Sequence, residues 1–206
     1  MKRFFTVLVF FMLVAVTAGC KGRPEAGMKT VDNLKAAIIG ETTASASYAA
    51  FAQKAKDEGY GKIASLFLAA SRAESIHAKN HTDVLKKLGK TMEAFSPKVV
   101  LKSTKENLEA AIKGENHEVV SMYPEFITTA TAEKQEAAVT TFNYAIEVEK
   151  IHRDFYTQTL DALNKKDFKK LSDTYAVCPV CGNTFGKDIP AICPICGAAK
   201  STFITI

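Results

Sequence analysis

Two glutamates are each followed three residues later by a histidine, Glu74–His77 and Glu149–His152, and that spacing suits metal ligation. Residues three apart on an α-helix sit about 60° apart around the axis and project from one face, so each Glu-x-x-His can grip one ion. The two tetrads lie 75 residues apart, and the same offset pairs Tyr48 with Tyr123, Phe51 with Phe126 and Phe67 with Phe142. Upstream the offset is 74: L-K-A-A-I-I-G-E, ending at Glu41, matches L-E-A-A-I-K-G-E, ending at Glu115. The chain therefore reads as a duplicated helix hairpin that carries ligands.

One Glu from each of two helices and one Glu-x-x-His from each of the other two is the ligand inventory of a di-iron carboxylate bundle. Here that set is Glu41, Glu74, His77, Glu115, Glu149 and His152. These residues interrupt apolar stripes: Phe142, Ala145 and Ile146 lead into Glu149, His152 and Tyr156, and Ile63, Leu66, Phe67 and Ala70 lead into Glu74, His77 and His81. Buried, unpaired carboxylates are costly, so a cluster of them implies bound cations. Hard carboxylate oxygens favour ferric iron, while one imidazole per metal keeps the ferrous state accessible. The competing reading of a single Glu-x-x-His is a buried Glu–His hydrogen bond; two in register within a duplication favour metal.

The offset grows from 74 to 75 between Glu115 and Tyr123, so one residue is added inside a helix, an insertion usually absorbed as a π-bulge. Glu118 lies in that interval and has no acidic counterpart near Thr43 or Ala44, leaving one metal a choice of ligand. Tyr48 and Tyr123 follow Glu41 and Glu115 by seven and eight positions, about two turns along the same channel. His81 and His117 read as packing or solvated histidines.

A second metal signal stands near the C-terminus, where Cys178-Pro179-Val180-Cys181-Gly182 and Cys193-Pro194-Ile195-Cys196-Gly197 share one form. Each Cys-x-x-Cys can place two sulfurs on one ion, with the following Gly free to take the positive φ of a knuckle. Two knuckles make a tetrahedral four-sulfur site that suits zinc or iron. Paired disulfides are the alternative in an oxidising compartment.

Four helices must position these groups. Helix one is expected over about 31–58 with Thr30 or Asp32 as cap, helix two over 62–88, helix three from near Ser103 past a kink at Pro124, and helix four over 131–164. The loop containing Ser96-Pro97 would cross the end of the bundle, and Lys165-Lys166-Asp167 would open a charged linker. The fold class is thus an all-α four-helix bundle followed by a small metal-knuckle domain. With 206 residues, 47% hydrophobic and no Trp, the chain can bury one moderate core and a small appendage. Lys2 and Arg3 precede an uncharged stretch from Phe4 to Gly19, shaped like an export signal and short for a membrane span. Thr17-Ala18-Gly19-Cys20 resembles a bacterial lipoprotein box with Cys20 as lipidation site, although Thr17 departs from the usual aliphatic. The expected division is 1–19 signal, 20–29 tether, 30–166 bundle, and 167–206 linker and knuckle domain. The formal charge of +5 falls to +3 without Lys2 and Arg3, and no basic run with interleaved aromatics supports nucleic-acid binding.

Gly40-Glu41, Glu74-Ser75-Ile76-His77, Gly114-Glu115-Asn116-His117-Glu118, Met122-Tyr123-Pro124-Glu125-Phe126, Glu149-Lys150-Ile151-His152 and both Cys-Pro-x-Cys-Gly knuckles resemble the rubrerythrins over about residues 30–206. The resemblance implies a ferritin-like di-iron bundle with a rubredoxin-like domain, whose Cys178, Cys181, Cys193 and Cys196 hold iron in preference to zinc. It implies a peroxidase that reduces hydrogen peroxide to water, with electrons passing from the iron–tetrathiolate centre to the di-iron site. It further implies exchange of His77 and Glu118 at one iron with redox state, hydrogen bonds from Tyr48 and Tyr123 to ligand carboxylates, and electron transfer between subunits of a head-to-tail homodimer. A redox donor protein must feed the chain; for an exported, membrane-anchored lipoprotein this would be a membrane-linked redox protein or cytochrome. The lipoprotein-like leader departs from the family's usual cytosolic setting, and it puts the four thiols where disulfides tend to form. Two other readings are a ferroxidase that handles iron without peroxide turnover, and a non-catalytic metal-binding lipoprotein.

Overall fold

A computed structural model describes residues 28–206. The leader-like stretch, Cys20 and the tether as far as residue 27 lie outside the described residues. Helix α1 (Lys29–Asp57) and α2 (Gly61–Lys87) form the first hairpin. Helix α3 (Thr104–His117), a π-helical turn (Glu118–Met122) and α4 (Tyr123–Ala132) make one interrupted rod, and α5 (Glu136–Lys165) returns beside it. Among the described residues no helix is long and apolar enough to cross a membrane.

The two hairpins turn in the same way. Gly59 adopts φ 84° and the Tyr60 amide donates to Ala55 O at 2.8 Å; 75 residues on, Lys134 adopts φ 57° and the Gln135 amide donates to Ala130 O at 2.8 Å. The second turn has no glycine to mark it, and the last helix starts at Glu136, five residues later than the expected Thr131, which lies in the last turn of α4 instead.

Capping is also duplicated, and reciprocal. The Glu133 carboxylate accepts from the amides of Lys29 and Thr30 at 2.9 Å each, and the Glu58 carboxylate accepts from the Thr104 amide at 3.0 Å. Each hairpin turn thus supplies an acid to the first turn of a helix in the other hairpin, where it satisfies orphan donors and meets the positive end of the helix dipole. The expected local caps of α1, Thr30 and Asp32, are not used; Met28 is the cap residue and its side chain makes no capping bond. At α3 the cap is local: Ser103 and Glu106 form a capping box.

Because Thr104 begins beside the end of α1, residues 88–103 must travel back along the length of α2 and not simply over the bundle's end. Extended chain covers about 3.3 Å per residue against about 1.5 Å in a helix, so this segment is long enough for the 27-residue α2. The result is a bundle with one long crossover.

Two aromatic nests fill the core. One contains Tyr48, Phe51, Phe67 and Tyr156; the other contains Tyr123, Phe126 and Phe142 with His81 against them. Between the nests, along every rod, lies the acidic layer of Glu41, Glu74, Glu115 and Glu149. After α5 the segment expected as a charged linker packs down, with Leu171 and Tyr175 buried against the first nest. A three-stranded antiparallel sheet follows, β1 (Ala176–Val177), β2 (Thr184–Phe185) and β3 (Ile204–Thr205) in the order β2-β1-β3. Its own core stacks Phe185 on Phe203 at 5.0 Å between ring centroids. The sheet sits against α2 and α5.

Candidate metal centre

Glu41, Glu74, Glu115, Glu149, His77 and His152 are at most 2% exposed. Ligand atoms of Glu41, Glu74, His77 and Glu149 lie within 4.8 Å of one another, and so do those of Glu74, Glu115, Glu149 and His152. The two groups overlap at Glu74 and Glu149. Glu74 Oε2 is 3.0 Å from His77 Nδ1 and Oε1 is 3.1 Å from His152 Nδ1; Glu149 Oε1 is 2.8 Å from His77 Nδ1 and Oε2 is 2.9 Å from His152 Nδ1. The expectation that each Glu-x-x-His serves one ion is therefore corrected: Glu74 and Glu149 each turn one oxygen to each histidine and would be shared between two ions, while Glu41 and Glu115 each belong to one group only.

The donor set fits two bound cations. Glu41 Oε2, both Glu74 oxygens, Glu115 Oε2, Glu149 Oε1 and His77 Nδ1 are buried and make no hydrogen bond. Several lie within ion-pair distance of each other, yet their lone pairs converge on shared points and not on partner protons. Leaving this many buried acceptors unsatisfied would cost several kcal/mol each in order of magnitude, which bound metal removes. Without metal the layer must hold protons. Burial pushes Glu41 up to about 8 and Glu115 well above the carboxylate range. Burial opposes charge on His77 and His152, but the surrounding carboxylates, Glu149 foremost for His77 and Glu74 for His152, outweigh it and hold both well above the usual imidazole range. Glu74 is likewise opposed by burial, yet the two imidazoles carry it down to about 2.

Both imidazoles are aimed from the knuckle domain. His77 Nε2 is 3.0 Å from Cys181 O, an acceptor only, so Nε2 carries the proton and Nδ1 faces the carboxylates with its lone pair. His152 Nε2 is 2.9 Å from Thr184 Oγ1, whose own proton goes to Gly182 O at 3.3 Å, which fixes the same tautomer. Gly182 is at φ 81°, and a Cβ there would stand 2.5 Å from His77 Nε2. These partners in the knuckle were invisible from sequence, because nothing local connects residues 181–184 to His77 or His152.

Tyr48 donates to Glu115 Oε1 at 2.6 Å and Tyr123 donates to Glu41 Oε1. Each tyrosine thus serves the carboxylate of the other hairpin, not the glutamate one or two turns before it. The added residue appears as the π-helical turn, and Glu118 stands at its start. Glu118 is half-buried beside Gly40, and burial and the charge of Glu41 push its carboxyl well above the ordinary range. It belongs to neither ligand group. His81 is buried and hydrogen-bonded, at 3.1 Å to Tyr123 Oη and 3.0 Å to Thr141 Oγ1, whereas His117 is exposed.

Cys178, Cys181, Cys193 and Cys196 gather at the tip of the sheet with all four thiols free. The sulfurs of Cys178 and Cys196 are 3.4 Å apart and those of Cys181 and Cys193 are 3.6 Å apart. A disulfide needs about 2.05 Å, whereas a tetrahedron with metal–sulfur bonds of about 2.3 Å has sulfurs about 3.8 Å apart. The spacing fits an ion, zinc or iron, and not a bridge. The two arms repeat one turn: Gly182 N donates to Cys178 O, and Gly197 N to Cys193 O, both at 2.9 Å.

Comparison with known proteins agrees with this geometry. Residues 32–160 match the family described as Rubrerythrin, and residues 177–204 match the Rubrerythrin, rubredoxin-like domain. Rubrerythrin-2 of Clostridium acetobutylicum is 37% identical over 161 residues, covering 75% of this chain and 84% of that protein. Nigerythrin of Nitratidesulfovibrio vulgaris is 37% identical over 156 residues, 74% of each. A structure of fully reduced, all-ferrous nigerythrin superposes with a TM-score of 0.77 at 34% identity over 86% of both chains. The bacterioferritin of Desulfovibrio desulfuricans, at 21% identity and a TM-score of 0.63 over 68% of this chain and 82% of that one, shares the fold. A di-metal carboxylate layer joined to a four-cysteine knuckle, in a chain matched by both family descriptions, leads to one conclusion: this protein belongs to the rubrerythrin family.

Proposed function

We propose that the protein is a non-haem di-iron peroxidase that reduces hydrogen peroxide to water with electrons delivered through the four-cysteine centre. The observation that carries this reading is the direct seating of the knuckle on the acidic layer, with Cys181 O accepting from the imidazole His77 Nε2 at 3.0 Å. A chain built only to oxidise or store iron has no need of a four-sulfur site placed against its ligand histidines. Two electrons and two protons convert one peroxide into two waters. Two irons held by Glu41, Glu74, His77, Glu115, Glu149 and His152 would supply one electron each, which would let the O–O bond be cleaved without release of a hydroxyl radical.

The chain's own residues prepare that step. Glu74 and Glu149 span both sites, Glu41 and Glu115 close them, and Tyr48 and Tyr123 hold the closing carboxylates in orientation. The aromatic nests on either side keep bulk water from the layer. His77 stands inside the first group with Glu118 just outside it, which supports a ligand exchange in which His77 serves the reduced state and Glu118 the oxidised one. Glu118→Ala is then expected to lower peroxide turnover and to destabilise the oxidised protein; unchanged turnover and unchanged ferric retention would refute the exchange.

The remaining features belong to the same proposal. A head-to-tail homodimer would make the knuckle-to-bundle contacts between subunits in place of the within-chain contacts, and sedimentation with inter-subunit crosslinking tests it. Export as a membrane-anchored lipoprotein rests on the Thr17–Cys20 run, and mass spectrometry of the mature N-terminus tests it. The division into a bundle over 30–166 and a linker with knuckle over 167–206 rests on the separation of the two ligand sets along the sequence. The donor would be a redox protein docking at the knuckle. Steady-state peroxide consumption with an artificial electron donor, alongside metal analysis and visible spectra, decides among the readings. A red ferric-thiolate species with peroxide turnover is expected, and a colourless zinc-loaded protein without turnover would overturn the proposal.

A further inference from the structure

The duplication makes the two ends of the acidic layer comparable residue by residue, and besides Glu118 they differ at two buried positions that touch each other. At the Glu115 end, Tyr48 donates to the carboxylate and packs against Tyr156 at 5.4 Å between ring centroids. At the Glu41 end, Tyr123 donates to the carboxylate, and the position equivalent to Tyr156 is His81. His81 Nδ1 in turn meets Thr141 Oγ1 at 3.0 Å, and the position equivalent to Thr141 in the first hairpin is Leu66, a fully buried hydrophobe. Two polar residues have thus entered an aromatic nest on one side only, and all of Glu41, Tyr123, His81 and Thr141 are buried.

The directions of these bonds follow from donor counting. In metal-loaded protein the Glu41 carboxylate would be ionised and accept only, so the single Tyr123 proton goes to Glu41, the direction in which the two groups are paired. The Tyr123 oxygen can then only accept from His81, which requires the proton of His81 on Nε2. Nδ1 is left as an acceptor, and the Thr141 hydroxyl must donate to it. The behaviour of Thr141 bears this out: the hydroxyls of Thr128, Thr131, Thr140 and Thr157 donate to carbonyls one turn back in their own helices, whereas Thr141 faces His81 across the core. Were His81 in its other tautomer, Nε2 would compete for the Tyr123 proton and Glu41 would lose its donor. Burial holds His81 down to about 3, so the ring stays neutral and keeps one donor and one acceptor.

The geometry points to His81 as a positioning residue that, locked by Thr141 in its Nε2–H tautomer, holds the Tyr123 hydroxyl on Glu41 and so makes the two metal positions inequivalent. This rests on the di-iron reading above, since Glu41 closes the same site at which His77 and Glu118 would exchange. A carboxylate fixed by three donors in series keeps its place while its neighbours move; Glu115, with one donor, has less need of it.

Zinc, which is diamagnetic and redox-silent, gives a test independent of activity. In zinc-loaded protein labelled with nitrogen-15 histidine, the His81 ring is expected to be neutral with its proton on Nε2, and Thr141→Val, which keeps the shape of the side chain, is expected to release the Nδ1–H tautomer. A wild-type Nδ1–H ring, or a Thr141→Val ring still fully Nε2–H, would overturn the proposal. In iron-loaded protein, His81→Phe is expected to alter one Mössbauer doublet of the pair and to weaken metal retention there about tenfold, the scale found for residues that orient ligands. His81→Gln, which can donate from its amide, is expected to recover most of that loss. Equal change in both doublets, or no recovery by glutamine, would also overturn it. Failure of wild-type protein to bind a metal pair would be seen by metal analysis and would refute the di-iron reading instead.

Discussion

Gly182 and Gly197 occupy the same place in the two knuckles, at φ 81° and 80°, but only Gly182 faces a ligand. An alanine at either position carries the left-handed strain of about 1–2 kcal/mol. At Gly197 nothing lies within 4 Å of the added carbon, whereas at Gly182 it meets His77 Nε2 at 2.5 Å and Ala73 O at 3.2 Å. Gly197→Ala should therefore weaken the knuckle slightly and leave turnover near wild type. Gly182→Ala should lift the knuckle from α2, free the His77 ring and lower peroxide turnover about tenfold or more while the absorption of the four-cysteine centre persists. Parallel turnover assays and visible spectra of the two variants check this; equal effects would show that the close approach does not matter. The glycines themselves follow from the knuckle pattern, but their difference is a tertiary fact, because His77 lies more than a hundred residues earlier in the chain.

At the scale of the element, the reciprocal caps carry a pH signature. Glu58 is held at about 2, against an ordinary 4.5, chiefly by its hydrogen bonds to Thr104 and Lys54, and Glu133 is lowered by its bond to Thr30. A depressed folded-state pKa means that the folded protein binds fewer protons than the unfolded chain, so the cap's contribution is present above about 4.5 and disappears as the pH falls toward about 2. Glu58→Gln should flatten the stability profile in that window and leave it little changed at neutral pH beyond the weakened cap; denaturant titrations from pH 2 to pH 7 measure it. Neither cap was evident from the sequence, since propensity marks local caps such as Ser103 and cannot mark an acid arriving from the opposite hairpin. The π-helical turn, by contrast, was legible, because one extra residue between Glu115 and Tyr123 in an otherwise matched duplication has to be absorbed within the helix.

For the whole molecule the decisive term is metal. In metal-free protein, Glu41 and Glu115 have raised folded-state pKa values and so do His77 and His152, so the folded form binds more protons than the unfolded chain above about pH 4.5. Its stability must then fall as the pH rises from about 4.5 through about 8, where Glu41 loses its proton. Metal-loaded protein, whose ligands are already deprotonated, should lack this slope and melt higher at every pH in the range. Thermal melts of chelated and iron-loaded protein at pH 5 and pH 8 test it, and a chelated form equally stable at both values would contradict the proton-laden layer.

The four-rod architecture, the knuckle and the candidate ligands Glu41, Glu74, His77, Glu115, Glu149 and His152 could be read from the sequence alone, because each is written in a short repeat: helical spacing in Glu-x-x-His, an offset that pairs the hairpins, and two copies of Cys-Pro-x-Cys-Gly. Only the tertiary structure decided how those pieces share work. Which carboxylates face both histidines, which tyrosine serves which glutamate, which way each imidazole is turned and why one end of the layer differs from the other all depend on contacts between residues far apart in the chain. Periodicity fixes the face on which a side chain stands, but packing between helices chooses the atom that it meets.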